Sequence, residues 1–103
     1  MWGDGMEKRD YIHISDVVKI LDKLIKISFT GEINICSGKS YSFKKLIQII
    51  QKLMKKTIVI KRKKRNRLKV DQIMKNNFLI KIIGNYRFIN INQGINEMIK
   101  YIK

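Results

Sequence analysis

The sequence predicts an α/β fold of order β-α-β-α-β-α-α, and three observations lead there. Apolar residues recur at helical spacing over 17–27 and again over 43–54. Short β-prone runs at 11–14, 32–36 and 57–60 precede, separate and follow those stretches. The chain has 103 residues, 45% of them apolar, which allows one small core.

Taken in order, Gly3-Asp4-Gly5 makes a turn in an opening loop. Tyr11-Ile12-His13-Ile14 reads as a first strand. Ser15 or Asp16 then stands where an N-cap belongs, because either side chain can accept from the unpaired amides of a first helical turn. Val17, Leu21, Leu24 and Ile25, with Val18 and Ile20 beside them, carry that helix to about Ile27, and Phe29-Thr30-Gly31 ends it. Glu32 to Cys36 alternates as a second strand, and Ser37 to Ser40 is a turn. Ser42 caps an amphipathic helix whose apolar face holds Phe43, Leu46, Ile47, Ile50, Leu53 and Met54. Thr57 to Ile60 is β-branched throughout and reads as a third strand. Residues 68–83 are helical in parts, and Gly84-Asn85 is a turn. Asn92 caps a last helix that buries Ile95, Met98, Ile99 and Ile102.

Lysine and arginine number 23 against 8 acids, so the formal charge is +15. Six of the seven residues from Lys61 to Arg67 are basic. Such a surface favours nucleic acid or anionic membrane. The composition offers a second source for the charge: 21 Ile, 18 Lys and 8 Asn with no alanine or proline is the signature of A/T-rich codons. A nucleic-acid-binding module using Lys61–Arg67 therefore remains the alternative function, although few aromatic residues stand near the run to stack on bases. Surface attachment to a membrane through the helix at 42–56 is a third reading, and core packing explains its apolar face more simply.

Other chemistries find little support. One histidine and one cysteine supply no clustered His/Cys metal site, and Cys36 alone makes no internal disulfide, which fits a reducing, cytoplasmic setting. There is no Gly-x-Gly-x-x-Gly or phosphate-loop pattern and no apolar stretch long enough to span a bilayer, and Met1 to Gly5 carry neither the charged start nor the apolar run expected of a signal peptide. Tyr41 and Lys45 fit a Tyr-x-x-x-Lys spacing but flank a helix start in a lysine-rich stretch, where packing accounts for them. His13 reads as a packed, hydrogen-bonded histidine. No catalytic residue is assigned.

Three blocks carry a resemblance. Gly3-Asp4-Gly5, then Arg9-Asp10-Tyr11-Ile12-His13, then Asp16-Val17-Val18, closely resembles the substrate-side stretch of the NAD-dependent epimerase/dehydratase family, the extended short-chain dehydrogenase/reductases acting on nucleotide sugars. Asn34-Ile35-Cys36-Ser37-Gly38 with Ser42 is similar to that family's Asn-aliphatic-Gly-Ser-Gly-x-x-x-Ser segment, departing at Cys36, where glycine is usual. Gly84-Asn85-Tyr86 and Gln93-Gly94-Ile95 resemble its Leu-Gly-aromatic corner and the start of its final helix. The likeness spans nearly the whole chain.

It implies a C-terminal, substrate-binding segment, residues 1–103, lacking the N-terminal Rossmann half. Arg9 resembles the arginine that holds the diphosphate of the nucleotide sugar, and a guanidinium fork suits phosphate oxygens. A surface pair with Asp10 or another acid is the alternative for Arg9. Arg67 is a candidate for the second diphosphate arginine, with Arg65 and Arg62 as rivals, although four residues rather than three separate it from Asp71 and Val70 replaces a glycine. Asp16 is read as a helix cap rather than a catalytic acid.

In the full enzymes NAD or NADP is the cofactor, and it transiently oxidises a sugar hydroxyl to a ketone. The family's Gly-rich loop and catalytic Tyr-x-x-x-Lys lie upstream of the segment seen here. The expectation is therefore a truncated or split enzyme that alone binds no cofactor and is inactive. Its partners would be a nucleotide-diphosphate sugar and a separately encoded Rossmann half, with no membrane. Strands completed by that half would leave open edges here and favour self-association.

Overall fold

The computed structural model describes residues 1, 3–64 and 68–102. It is mixed α/β. Strand β1 (Lys8–Asp10) leads to helix α1 (Ile14–Lys26), strand β2 (Ser40–Ser42) and helix α2 (Phe43–Met54). Helices α3 (Asn77–Ile83) and α4 (Ile91–Ile102) follow. β1 and β2 pair antiparallel, with Arg9 opposite Tyr41 and Asp10 opposite Ser40.

The α/β class holds, but the strands lie elsewhere than the β-prone runs. Residues 11–13 link β1 to α1, and among the described residues neither 32–36 nor 57–60 belongs to a strand. The amide of Ile58 instead donates to the Gln51 side chain at 3.0 Å. The chain start then runs beside the basic segment: Lys63 donates to the Met1 carbonyl at 2.6 Å, and Gly3 donates to the Lys63 carbonyl at 2.8 Å. Of residues 68–83, only α3 is helical.

The helices follow their apolar periodicity, yet two caps differ from expectation. His13 is the N-cap of α1, and its Nδ1 accepts from the Ser15 amide at 3.1 Å. Ser42 does cap α2, accepting from the Lys45 amide at 3.1 Å. At the start of α4 the cap is Asn90 rather than Asn92, its Oδ1 taking the Gln93 amide at 2.8 Å. Each cap satisfies a donor that the first helical turn cannot pair internally.

The core is built where α1 packs on α3. Ile20, Leu24 and Leu79 form its buried centre, flanked by Ile12, Phe29, Ile33, Ile35, Tyr86 and Phe88. α2 packs against both β2 and α4, burying Ile47, Ile49 and Ile99. Met98 and Ile102, expected in the core, are exposed instead. No described helix is long and apolar enough to cross a membrane.

Candidate functional site

The candidate site is centred on β1. Its approach is fixed by Gly5, which is buried at φ +74°, a conformation side chains rarely adopt. A Cβ there would also stand 2.5 Å from Met1 Sδ. The Gly5 carbonyl receives the Lys44 amide at 2.8 Å, and the Glu7 carbonyl receives the Phe43 amide at 3.2 Å. The opening turn is thereby tied to the start of α2.

Arg9 is held on several sides. Its Nη1 donates to the Val70 carbonyl at 2.6 Å and to the Lys8 carbonyl at 2.9 Å, while Nη2 meets Glu7 Oε2 at 2.9 Å. The side chain is one-third exposed. Residues 70–72 run along the other side of β1: the Lys8 amide donates to Asp71 Oδ1 at 3.0 Å, and the Gln72 amide donates to the Lys8 carbonyl at 2.8 Å. The stretch around Asp71 thus lies beside Arg9. Arg67 and its rival Arg65 lie outside the described residues, and Arg62 is exposed.

Asp10 points the other way and pins the next loop. Its Oδ1 accepts from the Ser37 amide at 3.0 Å and the Ser37 hydroxyl at 2.8 Å, and its Oδ2 accepts from the Gly38 amide at 2.9 Å. Gly38 has φ +80°, and a Cβ on it would lie 2.9 Å from Asn76 Cγ. Beside this loop, burial first and the Asp10 charge second push the Cys36 thiol up, opposed by a hydrogen bond from the Gly38 backbone.

Asp16 is no helix cap. It is almost fully buried in α1, where it accepts the Tyr86 hydroxyl at 2.7 Å and the Ile89 amide at 3.0 Å. It therefore locks α1 to the segment that leads into α4. Nor is His13 a loose group: its Nδ1 lies 2.8 Å from Ser15 Oγ and its Nε2 3.4 Å from Glu97 Oε2.

Two clefts adjoin β1. The apolar one, about 510 Å³, lies between α2 and α4 over Asp10 to His13. The polar one, about 390 Å³, is walled by Tyr11, Tyr41, Tyr86, Phe88, Lys39 and Arg87 among others. Tyr41 stands directly opposite Arg9, so the two side chains share a face of the β-ribbon. Lys45 is exposed on α2.

Tyr86 gives the site a pH signature. Burial first, then the hydrogen bond to Asp16 and its charge, push the phenol up to about 12. The unfolded chain releases this proton near pH 10 while the folded chain keeps it, so the Tyr86 contribution is complete below about pH 10 and is lost as pH rises toward 12. Two pK units correspond to about 2.7 kcal/mol, and partial exposure reduces that to about 1–2 kcal/mol. In denaturant titrations the stability gap between the wild type and Tyr86→Phe should shrink across this window. A gap constant to the alkaline limit would refute the coupling.

Residues 1–36 match the model of the NAD dependent epimerase/dehydratase family. No curated protein matches the chain. Solved structures do. One is an NAD-dependent NDP-hexosamine 5,6-dehydratase, TunA, involved in tunicamycin biosynthesis: 28% identity, TM-score 0.85, covering 99% of this chain and 34% of that one. Another is the UDP-N-acetylglucosamine 4-epimerase from Methanobrevibacter ruminantium M1 in complex with UDP-N-acetylmuramic acid: 22% identity, TM-score 0.84, covering 99% and 33%. A third is the dTDP-glucose 4,6-dehydratase from Bacillus anthracis in complex with NAD: 20% identity, TM-score 0.81, covering 98% and 33%. The chain spans about a third of the length of these structures. The protein is thus similar to the NAD-dependent epimerase/dehydratase enzymes, in sequence over its first 36 residues and in fold over nearly all its length.

Proposed function

We propose that these 103 residues form the nucleotide-diphosphate-sugar-binding part of an NAD-dependent epimerase or dehydratase, a truncated or split form that works beside a dinucleotide-binding unit lying outside them. The observation that carries this reading is the placement of Arg9. It sits within the family-matched residues, held between β1 and the Val70 carbonyl, on the ribbon face it shares with Tyr41. A guanidinium has five N–H donors, and the three bonds described use three of them. The remaining donors, and the Nη2 donor now given to Glu7, are available to the oxygens of a diphosphate. Pre-ordering the fork lowers the entropy lost on binding.

The residues described do not suit NAD or NADP. Their only sheet is a two-stranded antiparallel ribbon, with no parallel βαβ unit to set a dinucleotide pyrophosphate at a helix N-terminus. The cofactor therefore belongs to the other unit, and no redox step is assigned to this chain. Its own work is to bind and orient the substrate. The free thiol of Cys36 suits a reducing compartment, and we place the protein in the cytoplasm.

Calorimetric titration with UDP, dTDP and GDP tests the assignment. At least one should bind, and Arg9→Ala should weaken it at least tenfold, about 1.4 kcal/mol or more. Arg9→Lys keeps the charge but not the fork and should fall between the two. Glu7→Gln, which removes the competing carboxylate, should tighten binding a few-fold. Titrated NAD should give no heat of micromolar binding. Equal affinities for wild type and Arg9→Ala would remove the site, and DNA binding that collapses between low and physiological salt would favour the nucleic-acid alternative instead.

A further inference from the structure

Beyond α2 the chain stands up as a ridge. Residues 55–64 and 68–70 lie outside the helices and the two strands, and all of them are exposed. Seven of these thirteen residues are lysine or arginine and none is an acid, against 23 cations and 8 acids in the 103 residues of the chain. A/T-rich codons raise lysine everywhere, but they do not gather cations into one stretch at more than twice the average of the chain. Five of the other six residues are aliphatic: Ile58, Val59, Ile60, Leu68 and Val70 all face water, Val59 and Leu68 at 87 and 86% exposure.

The ridge is fastened through its backbone. The Ile58 amide donates to Gln51 Oε1 at 3.0 Å, and the Met1 ammonium donates to the Lys61 carbonyl at 2.9 Å. The Lys63 amide and carbonyl are taken by Met1 and Gly3, and the Val70 carbonyl takes the Arg9 guanidinium. These bonds occupy main-chain atoms of the ridge, so the aliphatic side chains and the heads of Lys61, Arg62 and Lys64 are left to solvent. A surface already held in place loses less entropy when it binds.

We propose that this ridge is a peripheral membrane-binding surface, and that its partner is an anionic lipid bilayer. Its cations meet the headgroup phosphates, while Val59, Leu68 and their aliphatic neighbours enter the boundary between headgroups and acyl chains. Binding of this kind draws on buried apolar area together with attraction to anionic lipid, and the ridge supplies both. Nucleic acid answers the charge alone. No aromatic residue lies between Met54 and Phe78 to stack on bases, and the aliphatic side chains would stay in water. Helix α2 is not this surface, because it buries Ile47 and Ile49 where it packs on β2 and α4. The ridge acts independently of the diphosphate site, and the anionic cytoplasmic leaflet agrees with the compartment proposed above.

Flotation of the full chain with lipid vesicles in about 0.15 M salt tests the proposal. Phosphatidylcholine vesicles with about 30% phosphatidylglycerol should carry the wild-type chain, and pure phosphatidylcholine vesicles should not. Val59→Ser with Leu68→Ser leaves the charge untouched and alters only side chains already in solvent. It should keep its helical circular dichroism and weaken vesicle binding at least about tenfold. Lys61→Gln with Lys64→Gln should also weaken it, whereas Arg9→Ala should float like wild type, so a failure of the diphosphate site and a failure of the ridge are told apart. Three results overturn the proposal. One is a wild-type chain that stays off the anionic vesicles. Another is a serine variant that floats like wild type, which would reduce the effect to the attraction of a +15 chain for any polyanion. The third is duplex DNA that strips the wild-type chain from the vesicles at matched phosphate, which would make nucleic acid the occupant.

Discussion

Replacing Asp16 with alanine should cost about 3–5 kcal/mol, the largest single-residue loss in this chain. The carboxylate is almost fully buried, and each of its oxygens serves one donor, the Tyr86 hydroxyl at 2.7 Å and the Ile89 amide at 3.0 Å. Alanine strands both donors and leaves a void beside Ile20, the centre of the core. Small domains hold about 5–15 kcal/mol in total, so the variant should sit near its unfolding midpoint in water. Asp16→Asn keeps one carbonyl oxygen but turns an amide donor toward the other partner, and should fall between the two. Urea denaturation followed by circular dichroism measures the series. An Asp16→Ala loss under about 1 kcal/mol would mean that the segment before α4 is not anchored through this side chain.

Asp16 also shows why the sequence was only partly legible. It stood at a cap position with a cap-forming side chain, and the rule that ranks aspartate above histidine pointed to it. Its partners, Tyr86 and Ile89, are 70 and 73 residues away, and no local pattern announces a contact of that range. His13 took the cap because its Nδ1 reaches the Ser15 amide. The helices were readable because a 3.6-residue period is written locally: α1, α2 and α4 lie close to where the apolar repeats put them.

Strands were not readable in the same way. β propensity reports what fits a pleated surface, and pairing needs an edge to pair with. Thr57 to Ile60 and Glu32 to Cys36 have the composition but no strand partner among the described residues, whereas the polar triplets Lys8–Asp10 and Ser40–Ser42 found one another. The family-like motif makes Arg9 a candidate from sequence alone. The Val70 carbonyl and Glu7 that hold its guanidinium could not be read, because a backbone oxygen 61 residues away leaves no trace in residue types.

Asp10→Asn should have two effects that move together. The carboxylate accepts three bonds from the Ser37–Gly38 turn, and an amide in its place must point its own N–H at one of those donors. The expected loss of stability is about 2–3 kcal/mol. The second effect is on Cys36, whose thiol is raised first by burial and then by the negative charge of Asp10. Asparagine removes the charge and leaves the burial, so the thiol should become more acidic without returning fully to its ordinary value. Thiolate ultraviolet absorbance against pH, with Cys36→Ser subtracted, reads this directly. Ser37 walls the polar cleft beside Tyr41, so a slackened turn should also weaken nucleoside diphosphate binding, though less than Arg9→Ala does. A variant that is destabilised while its thiol titration stays unmoved would detach the Asp10 charge from Cys36. One that shifts the thiol at full stability would show that the turn holds without Asp10.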